Sequence, residues 1–492
     1  MSDWPIVELS DLVEDLTVGF VGSMTQEYVD SGIPFFRSKN ISPYDIDWND
    51  VRYVSQEFHQ KLKKSALKPG DVVIVRTGKP GTACVIPETI EEANCSDVVI
   101  ARVDDKKLSA HYLSYFMNSV AAHQVSSHLV GAVQQHFNVS SAKKIKIPLP
   151  SREEQEEIVS VLKALDDKLK LNRQINQTLE HIAQAIFKSW FVDFDPVKAK
   201  IQAKQNGRAR QDGERSGSQR KTSNVSSDST WPEAQAGAGA EGDPERAAMC
   251  AISGKTNAEL DALLEASTPE QRQQLIATAA LFPDELEDSD LGPIPRGWGV
   301  KPLDVVANYQ NGLALQKYRP EDEIDYLPVV KIAQLKKGFA DGEEKASPNI
   351  KPECIIDDGD VVFSWSGSLM VDLWCGGRAA LNQHLFKVTS DQYPKWFYLF
   401  WTKHHLVRFQ QIAADKAVTM GHIKRSHLKE ALCFVPNKEL FRQDLIDELV
   451  SKQIAARLEC VTLESLRNSL LPKLLSGEIT LDKAQSKAEA VA

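Results

Sequence analysis

The sequence predicts α/β (α+β) globular domains in tandem duplication, joined by two long antiparallel coiled-coil helices. Three observations predict this fold class: an ordered internal repeat, short β-branched strands followed by aromatic helices in each copy, and a long heptad seam after each copy. The length of 492 residues exceeds what one hydrophobic core supports and favours two to four domains.

The internal repeat relates the two halves of the chain. Each half shows, in the same order, a Trp and a Leu near its start, an apolar segment with a basic end, and Gly-Asp-Val-Val before a short apolar strand and a glycine. The matching pairs are Trp4 and Leu9 with Trp298 and Leu303, 32–37 with 326–331, and 68–78 with 357–367. Because the order is kept with only small insertions, duplication explains the similarity better than chance.

Each copy contains both kinds of secondary-structure signal. Strands are predicted at 71–75 and 360–363, where β-branched residues lie between turn residues. Helices are predicted at 110–120 and 394–411, which are rich in aromatic residues at helical spacing. Both copies are therefore expected to be mixed α/β domains.

A heptad seam follows each copy. In the first, apolar residues recur at alternating steps of four and three, and Asn172 and Asn176 interrupt the seam. The second seam is less regular, and we expect Pro472 to end it, with Gly477 as the stop signal. The apolar seam residues predicted to form the coiled coil are Leu162, Leu165, Leu169, Leu179, Ile186, Leu449, Ala456, Leu463 and Leu470.

Two interpretations of these helices remain open. Each helix can lie on its own globular domain, or the two can pair antiparallel as a spacer. A helix of about 33 residues is roughly 50 Å long, which is enough for a spacer. Asparagine in a seam typically fixes the register of two paired helices, and this favours the spacer.

The region between the two copies has the composition of a linker. Residues 203–243 are rich in Gly, Ser, Gln, Arg and Ala, and we interpret them as a solvated tether, with contact to phosphate as the alternative. Two short helices are predicted within 244–282. The second should begin at Thr268, because Thr268 and Gln271 have the spacing of a capping box.

Composition limits the class of protein. With 42% hydrophobic and 26% charged residues the chain has the composition of a globular protein, and no apolar run is long enough to span a membrane. The start of the sequence lacks the features of a secretory signal, so we expect a cytoplasmic protein. The net charge of −10 argues mildly against nucleic acid without excluding it, because local placement of Lys and Arg decides DNA affinity.

The cysteines indicate reduced thiols. No Cys-x-x-Cys spacing is present, which disfavours a zinc site or a disulfide framework. The seven cysteines are Cys84, Cys95, Cys250, Cys354, Cys375, Cys433 and Cys460.

Motifs that carry catalysis are missing from the sequence. Residues 253–256 (SGKT) match the end of a phosphate-binding loop, but Met249 stands where its first glycine is required. His404 and His405 are adjacent and therefore point to different faces of a helix, which is unsuitable for a metal pair. No dinucleotide or methyl-donor fingerprint follows a strand. The sequence thus predicts a binding protein or a scaffold with no catalytic and no metal-binding residues.

A set of short segments occurs in a fixed order on the duplicated chain. They are 70–73 (GDVV) with Gly78, 148–150 (PLP) with 154–155 (EQ), 188–196 (KSWFVDFDP), 282–286 (FPDEL), 292–298 (GPIPRGW) and 469–479 (SLLPKLLSGEI). Through these segments the chain resembles, along nearly its whole length, the specificity subunits of type I restriction-modification systems.

The resemblance implies a domain plan. Two target-recognition domains would each recognise one half of a bipartite DNA site, and the two helices would separate them by more than one DNA turn of about 34–36 Å. The expected boundaries are 1–152 for the first recognition domain, 153–195 for the first spacer helix, 196–290 for the insert, 291–437 for the second recognition domain, 438–476 for the second spacer helix and 477–492 for a flexible tail.

The resemblance also implies partners. DNA methyltransferase (modification) subunits, expected to be two, would dock on the chain and methylate adenine in each half of the double-stranded site. Restriction/translocase subunits would complete the complex. S-adenosylmethionine, ATP and Mg²⁺ would belong to those partners, and no cofactor is expected in this chain. Trp190, Phe191 and Phe194, just past the first seam, are candidates for methyltransferase docking, with packing against the adjacent domain as the alternative.

Candidate DNA-binding residues carry forked or small polar side chains in loops after strands. Any one of them can equally be part of a solvated loop. In the first half they are Arg37, Lys39, Asn40, Arg76, Thr77, Lys79, Gln134, Gln135, His136 and Asn138. In the second half they are Lys331, Gln334, Ser364, Ser366, Ser368, Gln383, His384, Thr419, His422, Lys424 and Arg425. Lys143, Lys144 and Lys146 contact phosphate or form an exposed strand face.

Two further classes compete with a DNA-specificity subunit. A coiled-coil scaffold that pairs two protein-binding domains without touching DNA would use the same architecture. A fused methyltransferase is disfavoured because the donor-binding motif is missing.

Overall fold

The computed structural model describes residues 4–24, 26–127, 136–216, 242–322, 324–415 and 421–479, with side chains described throughout these ranges except at 211–216. The chain divides into two compact units. The first consists of Met1–Leu171 and Thr462–Ala492, and the second of Asn172–Val461. Across the described ranges no helix is long and apolar enough to span a membrane.

The first unit contains two main sheets. The four-stranded sheet is antiparallel and has the order Ala83–Val85, Val72–Val75, Val98–Val103, Val13–Val18. The five-stranded sheet has the order Tyr28–Val29, Arg52–Val54, Ile33–Phe36, Ala93–Cys95, Ala66–Leu67. Two small pairs join Ile6–Glu8 to Lys146–Pro148 and Ile41–Ser42 to Asp45–Ile46. Its shorter α-helices are Gln56–Lys61, Ala110–Asn118, Ala122–Ser127 and Val139–Lys143.

The second unit repeats this plan. Its antiparallel four-stranded sheet has the order Met370–Leu373, Val361–Ser364, Leu385–Thr389, Asn308–Asn311. A second sheet has the order Lys345–Ala346, Leu327–Val330, Ala379–Leu381, Ile355–Ile356, and small pairs join Gly299–Pro302 to Leu432–Val435 and Leu286–Ser289 to Gly292–Pro295. Its α-helices outside the insert and the long helices are Leu303–Val306, Ile332–Lys337, Lys395–Asp415 and Arg425–Glu430.

Apart from the additional edge strand Tyr28–Val29 in the first unit, the two units have the same order of strands in their main sheets, so the duplication predicted from the sequence is a duplication of fold. In each, the strand after Gly-Asp lies between two partners of the four-stranded sheet. Each also has one parallel pair, which joins Ile33–Phe36 to Ala93–Cys95 in the first unit and Leu327–Val330 to Ala379–Leu381 in the second. The predicted mixed α/β class is therefore confirmed.

The shared Gly-Asp builds the same turn twice. Gly70 and Gly359 have φ values of 86° and 83°, a left-handed conformation that glycine adopts without steric cost. The carboxylate of the following aspartate accepts a hydrogen bond from a backbone N–H three residues earlier, at 3.0 Å for Asp71 and 2.8 Å for Asp360. This turn directs the chain into the central strand.

The central strands are apolar because both of their faces are covered. Val72, Val73 and Ile74 have no exposed surface, and Val361, Val362 and Phe363 have 1% or less. Burial of a Val, Ile or Phe side chain stabilises a fold by about 1.5–3 kcal/mol. The predicted strands at 71–75 and 360–363 are thus confirmed to within one residue.

The two long helices are Arg152–Phe187 and Leu445–Leu475. Seam residues Leu162, Leu165, Leu169, Leu463 and Leu470 are buried, and Leu179, Ile186, Leu449 and Ala456 are half-buried. In the first unit Arg467 Nη1 lies 2.7 Å from Asp166 Oδ1, and in the second Gln453 Nε2 lies 3.3 Å from Glu180 Oε2. From the first contact to the second, the residue number rises on one helix and falls on the other. The two helices therefore run antiparallel, as predicted.

The ends of the helices differ from the expected boundaries. The second helix begins at Leu445 rather than 438, because a 3₁₀ turn at Leu440–Arg442 precedes it. It continues through Pro472 and ends at Leu475, and Gly477, with a φ of 67°, follows two residues later. Pro472 stands in the last turn, so its ring and its missing N–H can disturb only the backbone bonds at the end of the helix. The first helix ends at Phe187, and a π-helical turn, Lys188–Val192, follows it.

The insert is more ordered than its composition suggested. Asp195–Ser216 is helical, which corrects the expectation of a tether over 203–216, and the rest of the predicted tether, 217–241, lies outside the described residues. Residues 244–282, which the structure describes throughout, contain three helices rather than two, namely Pro244–Ser253, Asn257–Ala266 and Pro269–Ala280. The predicted capping box of Thr268 and Gln271 is confirmed.

Buried Lys200 explains the order of helix Asp195–Ser216. The side chain of Lys200 is 2% exposed, and its Nζ donates to Glu245 Oε1 at 2.8 Å and to the Phe282 carbonyl at 2.9 Å. One lysine thereby fastens the helix to the first and last parts of the three-helix insert. Linker composition could not reveal this contact, since it depends on a residue more than 40 positions away.

We expect Glu180 to stabilise the second unit. Burial opposes its ionisation, but Lys403, Arg457 and Gln453 outweigh that effect and hold the pKa of its carboxyl below the usual range. Glu180→Gln should therefore lower the free energy of unfolding by about 1–3 kcal/mol. Thermal unfolding at neutral pH measures this, with Glu157→Gln on an exposed site of the same helix as control.

The effect of Glu180→Gln should depend on pH. Because the folded-state pKa is lowered, the stabilisation is complete above the unfolded pKa of about 4.3 and is lost as pH falls through the folded value. The difference in melting temperature between wild type and variant should shrink in that acidic range. Equal melting temperatures of the two proteins at neutral pH would contradict the assigned role.

Candidate nucleic-acid interface

Polar residues from several chain segments meet at one end of the four-stranded sheet in each unit. In the first unit these segments follow the strand Val72–Val75, precede the strand Val98–Val103, and follow the strand Ile33–Phe36. Neighbouring antiparallel strands place the residue after one strand beside the residue before the next. The topology therefore brings Arg76, Asp97 and Ser38 together.

Asp97 is the centre of the first cluster. Its Oδ1 lies 3.6 Å from Arg76 Nη1, while Thr77 donates its hydroxyl hydrogen to Oδ2. Ser38 Oγ donates to the Asp97 carbonyl at 2.6 Å and lies 3.2 Å from Oδ2. Asp97 has a φ of 56°, a left-handed conformation that is uncommon outside glycine and often marks functional loops.

A fourth segment closes this cluster. The Phe137 N–H donates to the Arg76 carbonyl at 3.0 Å, and Arg76 Nε donates to the Phe137 carbonyl at 3.4 Å. Next to it, Asn138 caps the helix Val139–Lys143 by accepting from the Ser141 N–H at 2.8 Å. Arg76 and Asn138 line an open depression of about 220 Å³ together with Val18, Val139 and Ser140.

The second unit has a cluster at the equivalent place with different side chains. Trp365 follows the central strand as Arg76 does, and the Ile423 N–H donates to its carbonyl at 3.1 Å. Ser366 Oγ lies 3.0 Å from His384 Nδ1, which repeats the contact of Thr77 with Asp97. The ring of Trp365 is 6.0 Å from that of His384 and 6.2 Å from that of His422.

Comparison with known proteins supports the resemblance seen in the sequence. Residues 1–181 match the family model described as the type I restriction modification DNA specificity domain. The HindI specificity subunit of Haemophilus influenzae is 29% identical over 353 residues, which cover 69% of this chain and 70% of that protein. The MjaIX specificity subunit of Methanocaldococcus jannaschii is 20% identical over 98% of this chain and 94% of that protein. The chain is thus similar, over most of its length, to the specificity subunits of type I restriction enzymes.

Among solved structures, the S subunit of a type I restriction-modification system from M. genitalium aligns over 96% of both chains, with 11% identity and a TM-score of 0.48. The HsdS subunit of Thermoanaerobacter tengcongensis aligns over 97% of both chains, with 14% identity and a TM-score of 0.30.

Most of the described candidate DNA-binding residues belong to the chain segments that form the two clusters or lie within a few positions of them in sequence. Lys79, Ser368, His422, Lys424 and Arg425 are exposed, and Gln383 and His136 are half-buried. Arg425 donates to the Tyr309 carbonyl at 3.0 Å and lies over the Phe386 ring at 5.5 Å. Lys143, Lys144 and Lys146 are exposed as well. Gln134, Gln135 and Thr419 lie outside the described residues.

Three other candidates are buried, and their side chains hydrogen-bond within the protein. Asn40 has no exposed surface, and its amide donates to the carbonyls of Asp47 and Asn49, both at 3.1 Å. Ser364 is also fully buried and donates to the Ser366 carbonyl at 3.2 Å, while Ser366 itself is 4% exposed. Direct base contact needs an accessible side chain, so we remove Asn40 and Ser364 from the proposed contact set and treat Ser366 as a support for His384.

The aromatic residues proposed for partner docking lie in the core of the second unit. Trp190, Phe191 and Phe194 are 2%, 0% and 6% exposed. The Phe191 ring packs 5.4 Å from that of Trp396, and the Phe194 ring 5.6 Å from that of Trp298. Packing against the adjacent domain therefore describes their position, and their role in docking stays a prediction with little ring surface available to a partner.

A basic patch of the first unit extends the interface. Arg37, Lys39 and Arg52 all surround one carboxylate, that of Asp50, and Arg52 Nη2 lies 3.2 Å from its Oδ1. The hydrogen bond from Lys39 holds the pKa of the Asp50 carboxyl below its usual range. Three cationic side chains therefore surround one carboxylate that stays ionised. In the second unit Lys331 pairs with Glu344, and Gln334 caps Lys331 while donating to Asp341 at 3.1 Å.

Sequence reasoning missed Arg52, Asp97, Ser38 and Trp365. Arg52 reaches the patch because it is paired with Phe35 across two strands, and that register is not visible in the sequence. Asp97 could have been found, because it directly precedes the β-branched run 98–100, which pairs with the strand that delivers Arg76. Trp365 occupies the position of Arg76 in the repeat. It was missed because candidates were limited to residues with forked or small polar side chains.

We expect the basic patch to contact phosphate. Lys39→Ala and Arg52→Ala should each lower the slope of log affinity against log salt concentration by about one, and weaken target and unrelated duplexes alike. Salt titrations of DNA binding by the complex with its methyltransferase partner measure this slope. Lys106→Ala, an exposed lysine beyond the opposite end of the strand Val98–Val103, is the matched control and should leave it unchanged. Unchanged slopes in both patch variants would contradict phosphate contact.

Proposed function

We propose that this chain is the non-catalytic DNA-specificity subunit of a type I restriction-modification complex, and that each unit recognises one half of a bipartite site. The observation that carries this proposal is the pair of equivalent clusters with unlike chemistry. Arg76 and Asp97 in the first unit stand where Trp365 and His384 stand in the second. One scaffold that presents two different polar surfaces suits two different half-sites.

Similarity to type I specificity subunits supplies the second support. A duplicated domain without a recognised catalytic motif is consistent with a subunit that binds DNA and leaves chemistry to others. We propose DNA methyltransferase subunits, two per chain, and restriction/translocase subunits as its partners. S-adenosylmethionine, ATP and Mg²⁺ would be held by those partners, and the complex would act in the cytoplasm, where its DNA target lies.

The paired helices have a role in this proposal as well. The helix Arg152–Phe187 is continuous, and polar contacts join it to Leu445–Leu475, at Asp166 with Arg467 in the first unit and at Glu180 with Gln453 in the second. Two buried asparagines, Asn172 and Asn176, interrupt the apolar seam, and such residues typically fix register. We propose that this pairing sets the length of the unspecified gap between the half-sites.

The competing hypothesis is a scaffold that pairs two protein-binding domains without contacting DNA. The cations around Asp50 and the exposed Lys79, Lys143 and Lys144 favour DNA, because clustered basic residues provide the phosphate contacts that dominate nucleic-acid affinity. A scaffold gives no reason for them to lie beside the cluster of Arg76.

Exchange of one unit tests the proposal. Residues 1–150 replaced by the corresponding segment of another family member should change one half of the methylated motif and leave the other half intact. Modified-base sequencing of DNA from cells that express the chimaera with its methyltransferase identifies the motif. The reciprocal exchange of 291–437 is the matched control and should change the other half. A change in both halves after either exchange would contradict the modular assignment.

A further inference from the structure

We propose that Arg76 recognises a guanine in the half-site bound by the first unit, and that Asp97 is the positioning residue that orients its guanidinium. This inference rests on the proposed function and deepens it by naming a specificity-determining residue and the base that it selects. It depends on the contacts of Arg76, on the way Asp97 is held, and on the different residues at the same places in the second unit.

Arg76 is held firmly at its backbone and left accessible at its tip. It directly follows the buried central strand, and the Phe137 N–H bonds its carbonyl at 3.0 Å. Its side chain is 19% exposed and borders the open depression beside Asn138. A side chain that starts from a fixed backbone loses little further freedom on binding, and this favours sequence-specific contact over loose attraction to phosphate.

The guanidinium of Arg76 is only partly used within the chain. Nε donates to the Phe137 carbonyl at 3.4 Å, and Nη1 lies 3.6 Å from Asp97 Oδ1. In the part of the chain that the structure describes, no partner is assigned to Nη2. Nη1 and Nη2 each carry two N–H groups, so the edge formed by these two nitrogens still offers two parallel donors for a forked contact.

Asp97 is itself fixed, so it can fix Arg76. Hydroxyl groups of Thr77 and Ser38 both approach its Oδ2, and the Ser38 hydroxyl also bonds its carbonyl. These contacts leave Oδ1 directed to Arg76. Because the side chain of Asp97 is 43% exposed, its own attraction for Arg76 is weak in energy, and its contribution is to orientation.

Guanine is the base that this arrangement selects. In the major groove guanine presents two acceptors, O6 and N7, side by side, whereas adenine presents one acceptor and one donor. A guanidinium carries donors only and therefore pairs with both acceptors of guanine. Asp97 would accept from cytosine if it stood alone, but the adjacent cation occupies one of its oxygens.

The second unit lacks this device. Trp365 replaces Arg76 after the central strand, and His384 replaces Asp97 before the next strand. The supporting hydroxyl is kept as Ser366 in place of Thr77. The two units thus keep the same backbone framework but differ in the pair of residues proposed to recognise the base. Loss of Arg76 should therefore affect recognition of the first half-site only.

The test uses the complex of the full chain with its methyltransferase partner. The wild-type motif is first determined by modified-base sequencing, and exchange of 1–150 assigns the first half-site. Binding is then measured on duplexes with each base pair of both half-sites replaced in turn. Arg76→Ala and Arg76→Lys should lower discrimination for one G·C pair of the first half-site by about 5- to 150-fold, with the second half-site unaffected.

Two further variants distinguish the alternatives. Asp97→Asn tests whether Asp97 positions Arg76, and Lys79→Ala tests the effect of removing a nearby positive charge. Asp97→Asn keeps an acceptor for Thr77 and Ser38, and it should reduce discrimination at the same base pair by a smaller factor than Arg76→Ala. Lys79→Ala, an exposed cation in the same loop, should weaken all duplexes equally and keep discrimination. Retained discrimination at the second half-site reports that each variant complex is folded.

Three results would overturn the inference. A first half-site without a G·C pair excludes the proposed contact, and so does full discrimination by both Arg76 variants. A loss of discrimination with Asp97→Asn that exceeds the loss with Arg76→Ala would make Asp97 the contacting residue instead. In all three cases the wild-type chain still specifies a bipartite motif, so the proposed function stands. A wild-type complex without any motif would remove the proposed function and this inference together.

Discussion

Complete burial of the central strand in each unit is the constraint on which the candidate interface depends. Val72–Val75 and Val361–Ser364 each pair on both edges and are covered on both faces, so neither strand can shift without disrupting the packing on both faces. A slip of one residue would turn every side chain to the opposite face, where the close-packed neighbours fit a different side chain. The residue that follows each strand is therefore delivered to a fixed point at the end of the sheet.

Because the framework fixes the position of the residue after each central strand, the side chain at that position can differ between the two units. Arg76 and Trp365 differ in size, charge and hydrogen bonding, yet each keeps the same backbone bond to the segment that crosses beside it. Thr77 and Ser366 keep the same hydroxyl, while its partner changes from the carboxylate of Asp97 to the imidazole of His384. The two copies thus share the backbone framework at this point and differ in the side chains that the proposed function assigns to specificity.

Much of the fold could be predicted because its signals are local or repeated. Gly-Asp-Val-Val marked the turn and central strand in both copies, and the heptad seam marked the helices. The candidate site was less predictable. Asn40 and Ser364 had suitable side chains, but burial decides their role, and burial depends on neighbours distant in sequence. Arg52 joins the basic patch only through strand pairing, and Lys200 orders the insert through one buried contact.

The most direct test of the account is modified-base sequencing of DNA from cells that carry this chain with its methyltransferase partner, compared with cells that carry the methyltransferase alone. The account predicts methylated adenine in a new motif of two unlike halves separated by a fixed gap, present only with this chain. Absence of any such motif, with the methyltransferase expressed and bound to the chain, would contradict DNA specificity and favour a scaffold.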